Sequence, residues 1–86
     1  YIKDAKENMP IRTLGILTKV REITTKSNEL MAFALIEDNM NEIELTIFPR
    51  TYNRYKPLTI GSIVIITGNV TIRNKLQIVV EDIQII

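Results

Sequence analysis

The sequence predicts an all-β domain in which five strands close into a barrel, with one short helix between the third and fourth strands. Of its 86 residues, 30 are Ile, Val or Thr, whose branched side chains suit a pleated strand better than a helix. Polar and apolar residues alternate along residues 43–47, which is the period of a strand. A chain of this length forms one domain, and a small apolar sheet must close or pair to remove its edges.

Five strand-like runs are separated by short polar turns. They are predicted at residues 11–24, 30–38, 42–48, 62–73 and 76–85. In the third run, Ile43, Leu45 and Ile47 are expected to face inward. The turns at residues 27–28, 39–41 and 74–75 are rich in asparagine, which tolerates positive φ and can replace glycine there.

A helix is predicted at about residues 50–56. Pro49 suits the first turn of a helix, because the N–H that proline lacks would be unpaired there. Tyr52 and Tyr55 are three residues apart and can share one face, so we expect them to pack the helix over one end of the barrel. Pro57 and Gly61 mark the end of this connection.

This order of elements fits a Greek-key barrel of the OB type better than an SH3-like barrel or an open sheet with a helix. Gly15 and Gly68 fall within strands, where such a barrel bends sharply or takes up a bulge. Residues 1–10 are interpreted as a linker or the tail of a preceding domain, and residues 11–86 as the barrel.

Composition argues against most catalytic chemistry. The chain has no cysteine and no histidine, which removes thiol nucleophiles, triads and the usual zinc ligands. No Walker or dinucleotide motif occurs. We therefore expect a non-enzymatic module without a cofactor, in a cytoplasmic protein, because neither a signal peptide nor a long apolar run is visible.

Acidic residues cluster around the second turn, at Glu37, Asp38, Glu42 and Glu44. Carboxylates at this spacing are possible Mg²⁺ ligands. A solvated outer face that keeps the barrel in solution is the favoured interpretation, so no metal site is predicted.

Basic residues occur in two groups that an OB barrel would bring to one groove. The first is Lys19, Arg21 and Lys26, near the end of the first strand, and the second is Arg73 and Lys75, at the last hairpin. Thr24, Thr25, Ser27 and Asn28 are added as hydrogen-bond donors to phosphate. Cations along a groove are typical of single-strand binding, whereas Arg50, Arg54 and Lys56 on the predicted helix are expected to lie elsewhere.

Aromatic side chains are scarce in this predicted groove. Phe33 is a candidate stacking platform for a base, but Phe33 and Phe48 are both interpreted as core residues. The sequence therefore predicts weak, salt-sensitive binding with little dependence on base sequence.

Several motifs resemble the OB module of the bacterial DNA polymerase III alpha subunit. They are V-R-E-I-T-T-K at residues 20–26, M-A-F at 31–33, E-D at 37–38, F-P at 48–49, and the glycine-led segments at 61–64 and 68–70. The family often has glycine near Asn28 and Asn41. The resemblance implies a non-catalytic module that binds single-stranded template DNA, within a polymerase chain and alongside replisome proteins.

The resemblance also implies contacts from Arg21, Thr24, Thr25 and Lys26, and it adds Met31 to the candidate residues. Two other functions stay open. The doubly apolar fourth strand and the apolar end at Ile83, Ile85 and Ile86 favour a protein-docking module. Anticodon-binding OB domains of aminoacyl-tRNA synthetases offer the third interpretation, which needs stacking aromatics on the sheet.

Overall fold

The computed structural model describes residues 6–86, and in this part of the chain five strands and one helix follow each other as predicted. They are β1 (Pro10–Thr24), β2 (Leu30–Asp38), β3 (Asn41–Ile47), α1 (Pro49–Tyr55), β4 (Ile63–Ile72) and β5 (Leu76–Ile85). The strands form a closed barrel in the order β1-β2-β3-β5-β4. The predicted barrel with its helix between the third and fourth strands is confirmed, with every boundary within one residue.

The barrel closes because the long first strand pairs twice. Residues 10–16 of β1 pair with β4, and residues 16–24 pair with β2. Gly15 lies where β1 passes from one partner to the other, and a Cβ there would be 3.0 Å from the carbonyl oxygen of Glu37. β3 and β5 pair in parallel and complete the ring.

Gly68 lies at an irregularity in the β4–β5 ladder, as predicted. Thr67 pairs with Asp82, whereas Gly68 already pairs with Val80, so β5 carries one extra residue at this point. Such a bulge bends its strand and increases the local twist. A Cβ on Gly68 would lie 2.1 Å from the carbonyl oxygen of Val79, so the two backbones approach each other more closely than any side chain allows.

Asparagines make two of the turns in the left-handed conformation. Asn28 has a φ of 63° between β1 and β2, and Asn39 has a φ of 51° between β2 and β3. The prediction that asparagine replaces glycine in these turns is correct. In the second turn, the residue at positive φ is Asn39. It is not Asn41, near which the family that the sequence resembles often has glycine.

The core consists of the inward-facing residues of all five strands and one helix residue. It contains Leu17, Ala32, Ala34, Ile36, Ile43, Leu45, Ile47, Tyr52, Val64, Ile66, Ile78, Val80 and Ile83. The inward direction of Ile43, Leu45 and Ile47 is confirmed. Burial of these apolar groups is the main driving force that holds so small a barrel together.

Helix α1 covers one end of the barrel through its two tyrosines, as predicted. Tyr52 is only 1% exposed, and its hydroxyl donates a hydrogen bond of 2.5 Å to a carboxylate oxygen of Glu22 on β1. Tyr55 packs against the core, and its hydroxyl donates to Asp82 on β5. The helix is therefore attached to two strands by hydrogen bonds as well as by apolar contact.

Burial, and then the hydrogen bond to Glu22, raises the pKa of Tyr52 to about 12 from its usual 10.0. Because the fold favours the neutral phenol, its contribution is complete below pH 10 and disappears as the pH rises to 12. We expect the stability difference between the wild type and Tyr52→Phe to fall by about 2–3 kcal/mol across this window. Urea unfolding at a series of pH values measures it, and a constant difference would contradict the coupling.

Hydrogen bonding to the barrel reaches further toward the amino terminus than the predicted domain boundary. The N–H of Asn8 donates to the carbonyl of Val70, and the N–H of Val70 donates to that of Met9. The last residues of the linker predicted at residues 1–10 thus contact β4. The first five residues of that linker lie outside the described residues. No helix in residues 6–86 has the length and apolarity that a membrane crossing requires.

Candidate nucleic-acid interface

The outer surface of β1, β2 and β3 forms an open groove with aromatic, apolar and charged side chains. The groove is lined by Lys19, Arg21, Phe33, Ala34, Leu35, Glu44, Leu45 and Gln77. The strand register brings together the outward-facing members of this set, because residues directly opposite each other in a sheet project from the same face, whereas Ala34 and Leu45 face the core. Lys19, Leu35, Glu44 and Gln77 form one cross-strand row, and Arg21, Phe33, Thr46 and Val79 form the next.

Phe33 occupies the middle of this groove together with Arg21. The two residues are cross-strand partners, and the guanidinium carbon of Arg21 lies 5.5 Å from the centroid of the Phe33 ring. A cation at this distance is attracted to the face of the ring. The pair combines a flat apolar surface with a positive charge, as binding of a base and its phosphate requires.

Both phenylalanines were predicted to be core residues, and both predictions are wrong. Phe33 is half-buried on the outer face of β2, whereas the neighbouring Ala32 and Ala34 point inward. Phe48 ends β3 at the start of α1 and is 50% exposed. Small side chains fill the tight interior of the barrel at β2, which leaves the larger ring on the surface.

A hydrogen-bonded carboxylate lies at the β5 side of the groove. Glu44 Oε1 is 2.6 Å from Lys75 Nζ, and Glu44 Oε2 accepts a hydrogen bond of 2.7 Å from the side-chain amide of Gln77. The bonds from Lys75 and Gln77 lower the pKa of Glu44, and Glu44 in turn raises the pKa of Lys75. Both groups are therefore ionised at neutral pH.

The structure brings together three of the predicted cations. Lys19 and Arg21 line the groove, and Lys75 reaches it through Glu44, so the first strand and the last hairpin meet at one surface. Sequence reasoning did not select Glu44, Gln77 or Leu35 for this site. The strand alternation that places Leu35 beside Phe33 was a usable signal for one of them.

The other candidate residues lie outside the lining of the groove. Thr25, Lys26 and Asn28 belong to the β1–β2 loop, where the Thr25 hydroxyl accepts a hydrogen bond of 3.2 Å from the Glu29 N–H. Thr24 lies three residues after Arg21 on β1, so the two side chains point to opposite faces of the strand. Thr24 shares the face of Glu22, which accepts a hydrogen bond from Tyr52 of the helix. Arg73 is exposed in the last hairpin, and Met31 is only 9% exposed.

The acidic cluster of the second turn separates into two parts. Glu37 and Glu42 are cross-strand partners at the end of the sheet, whereas Glu44 faces Lys75 and Gln77. Within residues 6–86, no group of three or more acidic side chains is arranged to hold a metal ion.

The basic residues of the helix belong to a different surface, as predicted. Arg50 and Lys56 line a second depression with Glu29 and Leu30, at the barrel end that α1 covers. Substitutions at Arg50 and Lys56 can therefore serve as controls that remove positive charge without changing the groove.

The outer surface of β1 and β4 carries an apolar patch at the end of the barrel where β4 begins. Leu14 pairs with Ile65, and Ile16 pairs with Ile63, whose carbonyl accepts a hydrogen bond from the N–H of Ile86. Four of these five residues are exposed, and Ile65 is half-buried. The doubly apolar character of the fourth strand is thus a real surface feature.

Comparison with known proteins identifies the family of this barrel. Residues 11–86 match the family described as OB-fold nucleic acid binding domain. The chain belongs to this family. Membership agrees with the closed five-stranded barrel and with the position of the single helix.

Among curated proteins, this OB-fold domain is similar to DNA polymerase III alpha subunits. It is 38% identical over 80 residues to the subunit of Borreliella burgdorferi, which covers 90% of this chain and 7% of that protein. It is 29% identical over 85 residues to the subunit of Staphylococcus aureus, covering 96% of this chain and 8% of that protein. The chain thus spans less than a tenth of the length of these relatives.

Solved structures with a similar fold include these two examples. The second OB-fold domain of replication protein A from Methanococcus maripaludis has a TM-score of 0.73 at 19% identity, and the match covers 93% of this chain and 86% of that one. The mitochondrial single-stranded DNA binding protein Rim1 of S. cerevisiae has a TM-score of 0.72 at 17% identity, covering 94% and 97%. At these identities the likeness concerns the fold alone.

Proposed function

We propose that this OB-fold domain binds single-stranded DNA across the groove and acts as a template-binding module of a polymerase III alpha chain. The observation that supports it most is the Arg21–Phe33 pair in an open groove that Lys19 also lines. A base stacks on the ring while the cations neutralise the backbone phosphates. The similarity to alpha subunits supports the polymerase context.

The shape of the groove also supports a polymeric ligand. Its volume of about 280 Å³ is at the small end for pockets that enclose a small molecule. The groove is open, so a strand can enter at one side and leave at the other. We assign the domain a binding role, because the groove offers an aromatic ring and cations to a nucleic-acid strand.

Salt dependence is the direct test of this function. If three or four phosphates are neutralised, log affinity should fall against log salt with a slope of about −2 to −3. Fluorescence anisotropy with a labelled dT oligomer of about 16 nucleotides measures it between about 50 and 200 mM salt. We expect Lys19→Ala combined with Arg21→Ala, which removes the two cations that line the groove, to weaken binding roughly tenfold or more and to flatten the slope.

The matched control is Arg50→Ala with Lys56→Ala, which also removes two positive charges, but at the second depression. It should bind within about twofold of the wild type, since long-range effects are screened at this salt. A folded wild type that does not bind at the lowest salt would overturn the proposed function. Tighter binding to the same oligomer made of RNA would favour an anticodon-type role instead.

A second candidate function is docking, supported by the apolar patch on the outer surface of β1 and β4. Exposed apolar rows of this kind mark surfaces that bind other proteins, and another part of a polymerase chain is the partner that the alpha-subunit similarity suggests. The double variant Lys19→Ala with Arg21→Ala separates DNA binding from self-association. It should weaken DNA binding roughly tenfold or more and leave the oligomeric state unchanged, as sedimentation velocity would show.

A further inference from the structure

The pair of Glu44 and Lys75 places a fixed negative charge inside a groove that otherwise carries cations. Both oxygens of the carboxylate are bonded, one to Lys75 Nζ at 2.6 Å and the other to the Gln77 amide at 2.7 Å. Its side chain is 30% exposed, against 69% for Lys75. The carboxylate is therefore held against the sheet between β3 and β5, and the ammonium group bends toward it from the hairpin.

Each member of this pair lowers the attraction of the groove for a phosphate, by a different route. Lys75 directs its ammonium group at Glu44, so part of its charge is already neutralised when a phosphate arrives. Glu44 lines the same groove as Lys19 and Arg21 and repels a polyanion that crosses them. The pair reduces the attraction of the groove for DNA twice, through one cation withheld and one anion added.

We propose that Glu44 limits the affinity of the groove for single-stranded DNA by holding Lys75 away from the phosphates. This inference rests on the proposed function. Replacement of Glu44 by its neutral amide releases Lys75, which then neutralises one more phosphate. The domain consequently binds a strand less tightly than its cations allow, as suits a module over which a template must move.

The test is the anisotropy titration with the labelled dT oligomer, applied to Glu44→Gln. We expect this variant to bind about three- to tenfold more tightly than the wild type at about 50 mM salt, and the slope of log affinity against log salt to become more negative by about 0.7. The second change in Glu44→Gln with Lys75→Ala should remove the part of the gain that comes from Lys75 and return the slope to the wild-type value. A gain that stays complete in this double variant would contradict the role of Lys75. Thermal unfolding followed by circular dichroism verifies that each variant is folded.

The matched control is Glu81→Gln, which changes the net charge by the same amount. Glu81 lies on β5 outside the groove, where it accepts a hydrogen bond from the side chain of Asn69. An equal gain in Glu81→Gln would overturn the inference, because net charge alone would explain it. Unchanged affinity and slope in Glu44→Gln, with a wild type that binds, would also overturn it and leave the proposed function standing. Absence of binding by both proteins at the lowest salt would overturn both.

Discussion

Alanine at Gly68 is expected to destabilise the barrel by about 3 kcal/mol or more, a large share of the stability of so small a domain. The added Cβ would lie 2.1 Å from the carbonyl oxygen of Val79 and 2.9 Å from a methyl carbon of Ile78. The first contact is with backbone in the middle of the β4–β5 ladder, which cannot move without breaking the bulge. Urea denaturation followed by circular dichroism measures the loss.

The matched control is Gly61→Ala, which makes the same substitution in open space. No atom lies within 4 Å of a Cβ at Gly61, but its φ of +95° is unfavourable for alanine, so we expect a cost of about 1–2 kcal/mol. Equal losses in the two variants would mean that backbone conformation, and not the approach to Val79, determines the requirement for glycine at position 68.

Phe33→Ala is expected to weaken binding of single-stranded DNA by roughly 5- to 150-fold. Stacking of a base on an aromatic side chain contributes about 1–3 kcal/mol by alanine substitution, and the change also removes the ring that Arg21 faces at 5.5 Å. Because Phe33 lies on the outer face of β2 and is not part of the core, the fold should persist. Anisotropy titration measures the affinity, and thermal unfolding verifies the fold.

Leu35→Ala is the matched control for Phe33→Ala. Leu35 is half-buried on the same face of β2 and lines the same groove, but it offers no π face for a base. Its loss should weaken binding by about threefold or less. If Leu35→Ala and Phe33→Ala weaken binding equally, general apolar contact and not stacking is the contribution of this face.

The predictions about the fold succeeded where local patterns have one physical meaning. A strand reverses side-chain direction at each residue, so the alternation in β3 by itself directs Ile43, Leu45 and Ile47 inward. Pro49 starts α1 because of its covalent structure, which acts the same way in any context. The glycine within β4 likewise indicated the bulge that the ladder contains.

The predictions about the site were less complete, because a site depends on which strands become neighbours. Phe33 and Ala34 are adjacent in β2, and only the curvature of the closed sheet places the alanine inside and the ring outside. Lys75 follows Glu44 by 31 positions, and their contact exists because β3 and β5 pair in parallel. The assignment of Thr24, Arg73 and Met31 to DNA binding stays a prediction.

The amino-acid sequence alone determined the type, order and bounds of the elements, since these depend on backbone preferences and on interactions over a few residues. The tertiary structure alone decided which side of β2 faces solvent, and that a carboxylate shares the groove with the cations. Closure of the barrel is the physical reason. It encloses one inner volume, in which Ala32 and Ala34 face inward beside larger apolar residues, and it brings charges from distant strands to one surface.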